Sequence, residues 1–334
     1  MNTTPDTELV AFAREAGLLG ADEAGVWTPL TGGVSSDIWR LDAGGRSICV
    51  KRALAQLKVA ADWRVPVARN LYEWRWIEWV WQALPGVTPE PLAMDEKRGV
   101  FAMAYLPATA FPLWKQQLLS GKVDVASASA VGELLGRVHA RSAADGALAA
   151  HFATDNLFHA LRLEPYLHAT GARHPRVAQR LADLSGRTAE TKLALVHGDV
   201  SPKNILIGSN GPVLLDAECA WWGDPAFDLA FCLNHLLLKQ MAAPQSATLL
   251  AASFTVLTES YMAQVDWESR AEIEARVATL LPALLLARVD GKSPVEYLGD
   301  AAPRVRAAAL TMLNPPRDLI VDVQADFTKL TELR

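Results

Sequence analysis

The sequence predicts an α+β protein of two parts, a small β-rich N-terminal part over residues 1–105 and a larger, mostly helical C-terminal part over residues 106–334. Three observations predict it. Residues 26 to 52 read as strands separated by paired glycines, Gly32-Gly33 and Gly44-Gly45. From Ala126 onward the apolar spacing is mostly helical, as in Val131, Leu134, Leu135 and Val138. At 334 residues the chain is long for one core and comfortable for two.

In chain order, the expected strands are Val26 to Leu30, Asp37 to Asp42 and Arg46 to Arg52. After Pro66 the pattern turns helical to about Leu84, where Pro85-Gly86 stops it. A strand from Gly99 to Leu106 follows, ends at Pro107, and leads through residues 105 to 110 into the rear part. Within the helical rear, residues 193 to 217 stand apart: two short β-rich runs flank the polar segment Gly198 to Asn204. After Asp228 the chain is helical nearly to its end, and its Ala-rich stretches are good helix formers. A cleft between two such lobes is an arrangement that favours ligand binding.

Hydrophobic residues make up 51% and charged residues 21%, the balance of a soluble globular protein. A net charge of -5 argues against nucleic acid as a partner, because phosphate backbones select basic surfaces. Cys49, Cys219 and Cys232 form no CxxC pair and have no zinc-type spacing, so they read as small buried apolar residues suited to a reducing cytoplasm. Met1 to Gly20 lacks a basic segment followed by an apolar run, which predicts no signal peptide. Leu281 to Ala287 falls far short of the roughly 18 apolar residues of a membrane span. A cytoplasmic protein without a membrane partner is the expectation.

The chemistry concentrates in His197-Gly198-Asp199-Val200-Ser201-Pro202-Lys203-Asn204 and Val213-Leu214-Leu215-Asp216-Ala217-Glu218. Phosphoryl transfer asks little covalent help of a protein. It needs an oriented nucleophile and a divalent metal on the phosphates. A carboxylate five residues before an amide on a tight loop meets that need: Asp199 accepts the hydroxyl proton, and the Asn204 amide oxygen binds metal. Asp216, after an apolar strand, completes a site of oxygen ligands, which magnesium prefers. The bland alternative is a polar loop joining two strands.

These segments resemble the catalytic and metal-binding segments of the aminoglycoside phosphotransferase and choline kinase superfamily, which carries His-Gly-Asp with Asn five residues after the Asp. The resemblance implies a two-lobed protein-kinase-like fold, with Gly in place of the Arg of His-Arg-Asp. The segment DAECAWWGDPAFDLA, Asp216 to Ala230, is similar to that of methylthioribose kinases and choline kinases, and by that likeness Glu218 holds a second metal. It also implies that Asp228 opens a helix and anchors the catalytic loop, which agrees with a helix-capping reading. His197 is expected to support the loop rather than transfer a proton.

Upstream, Leu30 to Ser36 is a glycine turn whose amides, at Gly32 and Gly33, and hydroxyls, at Ser35 and Ser36, suit phosphate; ordinary hairpin chemistry is the other reading. Lys51 ends an apolar strand, either as a snorkelling side chain or as the contact to the α- and β-phosphates. The second reading needs a carboxylate on the following helix. Glu73, Ile77, Val80 and Leu84 fall in one narrow helical stripe with Glu73 its only charge, whereas Glu78 lies away from it, so Glu73 is the expected partner. Five of the 11 Trp residues lie at positions 63, 74, 76, 79 and 81. Tyr72, Trp76 and Trp79 share a face expected to pack in the core, while Trp74 and Trp81 lie opposite and are candidates for a dimer contact. The protein is expected to be a monomer or a homodimer. By position in the resembling family, the backbone of Met103, Ala104 and Leu106 binds adenine.

The acceptor is expected against the rear helices. Candidates are Arg162, with Glu164 and Tyr166, and Arg288, Asp290 and Lys292, for which a C-terminal cap at Gly291 is an equally good reading. Lys203 is a candidate for contact with the transferring phosphate. The expected function is an ATP- and Mg2+-dependent kinase for a hydroxyl of a small metabolite, sugar-like, methylthioribose-like or an amino alcohol. Rival readings are an aminoglycoside-type antibiotic phosphotransferase and a non-catalytic nucleotide-binding protein. A protein kinase is disfavoured, because Gly223-Asp224-Pro225 follows Asp216 within eight residues and leaves little room for an activation segment.

Overall fold

A computed structural model of the chain describes residues 4–30, 36–54 and 68–332. Two compact units emerge, Met1–Ala110 with Leu215–Glu218, and Phe111–Leu214 with Cys219–Arg334.

The first unit is an antiparallel sheet of five strands, β1 (Val26–Pro29), β2 (Ser36–Ala43), β3 (Arg46–Ala53), β4 (Pro91–Asp95) and β5 (Val100–Ala104), in the order β1-β2-β3-β5-β4. Helix α1 (Thr7–Glu15), capped by Asp6 accepting from the Leu9 amide at 3.0 Å, packs Leu9, Phe12 and Ala13 into a core with Trp39, Leu41, Ile48, Val50, Val100 and Ala102. Side chains alternate across a strand, so with Ile48 and Val50 in that core Cys49 and Lys51 point to the other face. Neither α1 nor β4 is among the sequence expectations. The signal for α1 is present in the spacing of Leu9, Phe12 and Ala13. For β4 there is no such signal, since all five of its residues are half-buried.

Helix α2 (Arg69–Ala83) buries Arg69, Asn70, Glu73, Trp76, Ile77 and Val80, and leaves Glu78 exposed. Asn70 fastens it to the sheet, donating to the carbonyls of Gly99 at 2.7 Å and Lys51 at 3.4 Å. Trp76 is fully buried. Trp74, on the face considered for a dimer contact, is half-buried and packs against Phe101 of the same unit with ring centroids 5.9 Å apart. Trp63 lies outside the described residues.

The second unit holds α3 (Trp114–Leu119), α4 (Val125–Ala143), and two short helices, α5 (Leu148–His151) and α6 (Asp155–Phe158). A π-helical stretch over His159–His168 carries Pro165 inside it and runs into α7 (Ala169–Arg173), and α8 (Ala178–Glu190) follows. The two β-rich runs foreseen around residue 200 are three strands, β6 (Ala194–Val196), β7 (Ile205–Gly208) and β8 (Gly211–Leu214). β7 and β8 pair with each other, and β6 pairs with β9 (Trp221–Gly223). Then come α9 (Pro225–Ala242), α10 (Ala247–Met262), α11 (Arg270–Asp290), α12 (Ala302–Leu313) and α13 (Ile320–Glu332).

Helix α9 is the axis of this unit. It is buried without a break from Pro225 to Gln240, as a helix apolar on all sides must be. Its cap is Asp224, whose side chain accepts from the Ala226 amide at 3.0 Å with Pro225 in the first turn. Asp228, expected at the cap, therefore stands one turn inside. Capping goes to Asp224 because Pro225 supplies the first helical φ and needs no N–H partner. Cys49, Cys219 and Cys232 are all buried and lie outside any disulfide. Among the described residues, no helix is long and apolar enough to cross a membrane.

Candidate active site

The loop from His197 to Asn204 joins β6 to β7 and is held from below by α9. Gly198 has φ +78, and a Cβ there would lie 2.6 Å from the Cys219 carbonyl oxygen, so only glycine fits. The loop amides of His197 and Gly198 donate to the two oxygens of Asp228 at 2.7 and 2.8 Å. His139 Nε2 is 3.2 Å from the same carboxylate, and His139 Nδ1 is 2.8 Å from the Tyr261 hydroxyl. His197 turns its ring inward, where Nδ1 accepts from the Asp199 amide at 3.2 Å. All of these groups are buried.

Asp199 is the focus of this geometry. Three nitrogen donors converge on its Oδ2: Asn204 Nδ2 at 2.9 Å, Lys203 Nζ at 3.0 Å and Arg162 Nη2 at 3.0 Å. Asn204 also donates to the Asp199 carbonyl at 3.0 Å. With its nitrogen used this way, the amide oxygen of Asn204 is the atom left for a hard cation. Arg162 comes from the π-helical stretch and hydrogen-bonds the Gly198 carbonyl as well.

In the first unit, Lys51 and Glu73 meet as an ion pair at 2.7 Å, both almost completely buried. Asp216 Oδ1 lies 2.5 Å from the same ammonium. Burial alone would lower the Lys51 pKa, but Asp216, Glu73 and Glu218 outweigh it and hold the ammonium charged. Burial pushes the Glu73 carboxyl up to about 8 against the opposing pull of Lys51, with Asp216 and Glu218 adding to the rise. Glu73, Asp216 and Glu218 thus all act on Lys51, and Arg69 is the second cation of the group. Asp216 has φ +66, an unusual value for a residue with a side chain, and such strain collects where geometry matters to function. Glu218 is held by Arg69, whose Nε donates to its Oε2 at 3.1 Å and whose Nη2 donates to the Leu54 carbonyl at 2.6 Å. Arg69 and Asn70 extend the inward stripe of Glu73 by one turn. That helical phase is the sequence signal for both.

Ser36 is buried at the start of β2. Gly32, Gly33 and Ser35 lie outside the described residues. Met103 and Ala104 end β5 half-buried, and Leu106 follows half-buried. The Ala104 N–H is already bound to the Glu90 carbonyl at 2.9 Å, and that of Tyr105 to Ser47 at 3.2 Å. Any contact of Ala104 with an adenine edge is thus made by its carbonyl.

The two groups of substrate candidates part company. Asp290 is taken up by Arg306, at 2.6 Å, and by His174, at 2.8 Å; hydrogen bonds from Arg306 and then His174 hold its pKa low against burial. Its acceptor capacity goes into joining the end of α11 to α12 and to His174, just past α7. Gly291 closes α11 through its N–H to the Ala287 carbonyl at 2.8 Å, with an extended backbone rather than the left-handed one a glycine cap often uses. Glu164 pairs with Lys292 at 2.7 Å. Arg288 remains beside Tyr166, donating to its hydroxyl at 3.0 Å and to Ser293. His235, Lys239 and Tyr297 join it, and none of them is among the sequence candidates, because His235 and Lys239 lie in a helix that reads as uniform core.

The residues fit a magnesium ion. Asp216 and Glu218 are oxygen donors one residue removed from each other in the chain, and magnesium binds through one or two carboxylates, keeping waters and phosphate oxygens for the rest. Among the described residues, no group of three or more His, Cys, Asp and Glu is placed to hold a metal alone.

Comparison with known proteins gives a consistent answer. Residues 26–273 match the phosphotransferase enzyme family. A choline/ethanolamine kinase family protein from Mesorhizobium loti aligns over 97% of this chain and 98% of its own at 17% identity and TM-score 0.57. A macrolide 2'-phosphotransferase from Brachybacterium faecium aligns over 94% and 99% at 21% identity and TM-score 0.52. An amicoumacin kinase solved with AMP-PNP and Ca2+ aligns over 98% and 92% at 14% identity and TM-score 0.55. These share the two-lobed kinase-like fold. A curated methylthioribose kinase from Erwinia tasmaniensis is 32% identical over 96 residues, 24% of each chain, so the match spans about a quarter of that relative's length.

Proposed function

The chain belongs to the phosphotransferase enzyme family, acting on an alcohol group as acceptor, and from that premise we propose that it is an ATP-dependent kinase of a small hydroxylated metabolite. The observation that carries this reading is the convergence of Asn204, Lys203 and Arg162 on one oxygen of Asp199, in a loop pinned by Asp228. A polar turn that merely joined two strands would not need a buried carboxylate held by three nitrogens. The partial methylthioribose kinase match supports a sugar-like acceptor.

In this reading residues 1–105 serve the nucleotide, and residues 106–334 carry the base and the acceptor. Asp199 orients the acceptor hydroxyl and takes its proton as the oxygen gains the γ-phosphoryl group and ADP departs. Lys51, fixed by Glu73, presents an ammonium to the nucleotide phosphates. Asp216 and Glu218, with the amide oxygen of Asn204, hold Mg2+. When bound, that ion would supply positive charge against the phosphates. Lys203, half exposed, is placed to follow the charge of the moving phosphoryl group.

The test is ADP release from Mg-ATP across a panel of sugars, methylthioribose, amino alcohols and aminoglycosides, with Asp199→Ala as control. Asp199→Ala is expected to bind ATP normally and lose nearly all turnover. Near-normal turnover in that variant sinks the assignment of the base.

A further inference from the structure

Five cationic side chains are buried among the described residues: Lys51, Arg69, Arg162, Lys239 and Arg288. Three of them have carboxylates, namely Lys51 with Glu73 and Asp216, Arg69 with Glu218, and Arg162 with Asp199. Lys239 and Arg288 have none. Lys239, 1% exposed, reaches only the Tyr297 hydroxyl at 3.3 Å. Arg288, 8% exposed, uses Nη1 on Tyr166 and Ser293, while its Nε is buried without a hydrogen-bond partner. A buried charge without a counter-charge is costly, and a protein tolerates it where a ligand supplies the missing sign.

The two cations belong to the neighbourhood of Asp199. Arg162, which holds that carboxylate, has its guanidinium 5.8 Å from the Tyr166 ring centre, and Arg288 lies 5.6 Å from the same ring. On α9, Phe231 is 5.9 Å from the Arg162 guanidinium and 5.4 Å from the His235 ring. His235 Nδ1 is 3.1 Å from the Tyr297 hydroxyl that Lys239 also reaches, and His235 Nε2 is buried without a partner. Burial, followed by the positive charges of Lys239, Arg288, Lys203 and Lys115, keeps this imidazole well below its ordinary pKa. Around His235, then, stand Lys115, Lys203, Lys239 and Arg288, while Arg162 and Lys203 hold Asp199. Glu296 is largely exposed and paired to Lys115.

Resting on the kinase reading above, we propose that the acceptor is an anion, a sugar-like alcohol carrying a carboxylate or phosphate group, and that Arg288 and Lys239 supply the counter-charge for that group. The Arg288 guanidinium, with its buried Nε unpartnered, is the fork that takes two oxygens of such an anion, and the half-buried Tyr297 hydroxyl links Lys239 to it. Amino alcohols and aminoglycosides, being cations, meet repulsion here.

The test varies charge on one scaffold: ribose, ribonate and ribose 5-phosphate, with choline and kanamycin as cations. ADP release is expected from ribonate or from ribose 5-phosphate, whichever anion is the right one, at roughly tenfold or more the kcat/KM of ribose, with none from the cations. Arg288→Gln is expected to raise KM for the preferred anion about tenfold and to leave KM for ATP unchanged. Lys239→Met is expected to raise the same KM and, below about pH 7 where the ammonium is charged, also the Tm, since it removes an unpaired buried charge; a fall in Tm there would mark Lys239 as structural and overturn its part. Turnover of ribose or a cation at equal or better efficiency, or anion KM values unchanged in both variants, overturns the proposal. If no acceptor releases ADP although ATP binds, the kinase reading fails. The anion site is then judged alone by the Tm of wild type and Arg288→Gln with ribonate and ribose 5-phosphate. A shift in wild type that the variant loses upholds it, and no shift overturns it.

Discussion

Asp228 Oδ1 accepts the backbone amide of Gly198 at 2.8 Å, so the strained turn before Asp199 is bolted directly to the first turn of α9. The other oxygen takes the His197 amide at 2.7 Å, and His139 braces it. Asp228→Ala orphans two buried N–H groups, each costing about 1–3 kcal/mol. The expected result is a loss of stability in urea titration together with a large fall in kcat. A variant with normal kcat would show that the loop holds its shape without this anchor.

Gly198→Ala forces a side chain into a left-handed backbone and against the Cys219 carbonyl. The strain is worth about 1–3 kcal/mol before any rearrangement. Because relief requires moving the residue before Asp199, kcat is expected to fall more than ATP affinity does. Equal effects on both would locate the damage elsewhere.

Lys51→Met leaves Glu73 buried without its cation, and breaking a buried pair costs about 3–5 kcal/mol. KM for ATP is expected to rise steeply, whereas Glu73→Gln, in which Lys51 keeps Asp216, is expected to raise it less. The ordering of the two variants in steady-state kinetics checks the argument. The reverse order would make Glu73 the more important of the two.

Lys239 contributes a stability that grows as the solution becomes alkaline. Burial first, then Lys115 and Arg288, lower its pKa from 10.5 to about 7, with Cys232 and Glu296 pulling the other way; Tyr297 touches it and His235 touches Tyr297. Between those values the unfolded chain binds a proton at this group that the folded chain does not, so its contribution rises with pH from about 7 to 10.5. Glu73, raised to about 8, and Cys49 and Cys232, raised to about 12, act in the opposite direction, so the difference between wild type and Lys239→Met carries the prediction. In thermal melts across pH 7–10 the stability of wild type relative to Lys239→Met is expected to rise with pH. An unchanged difference across that range would refute the assignment.

The sheet of the first unit was largely legible because strands β1, β2, β3 and β5 carry glycine turns and apolar runs within a few residues of each other. The inward phase of α2 was legible for the same reason, since one lone acid on an apolar stripe declares itself by spacing. Strand β4 was not, having no residue fully in or out. Asp224 and Asp228 could not be told apart by capping chemistry alone; the position of Pro225 decides it. The acceptor side was read least well. Asp290 looked available in the sequence and is tied to Arg306 and His174, while His235 and Lys239 looked like core.

What the sequence by itself determined is which candidate groups lie close along the chain: Asp199 and Asn204 share one short loop, and Asp216 and Glu218 follow one strand, so local spacing alone sets each pair. Only the tertiary structure decided which charges are answered and which are not. Arg69 meets Glu218 across 149 residues of chain, and Arg288 meets Tyr166 across 122, with no carboxylate in ion-pair contact with it among the described residues. Such partnerships depend on how distant helices pack, and whether a buried cation is left wanting an anion is settled by everything that packs around it at once.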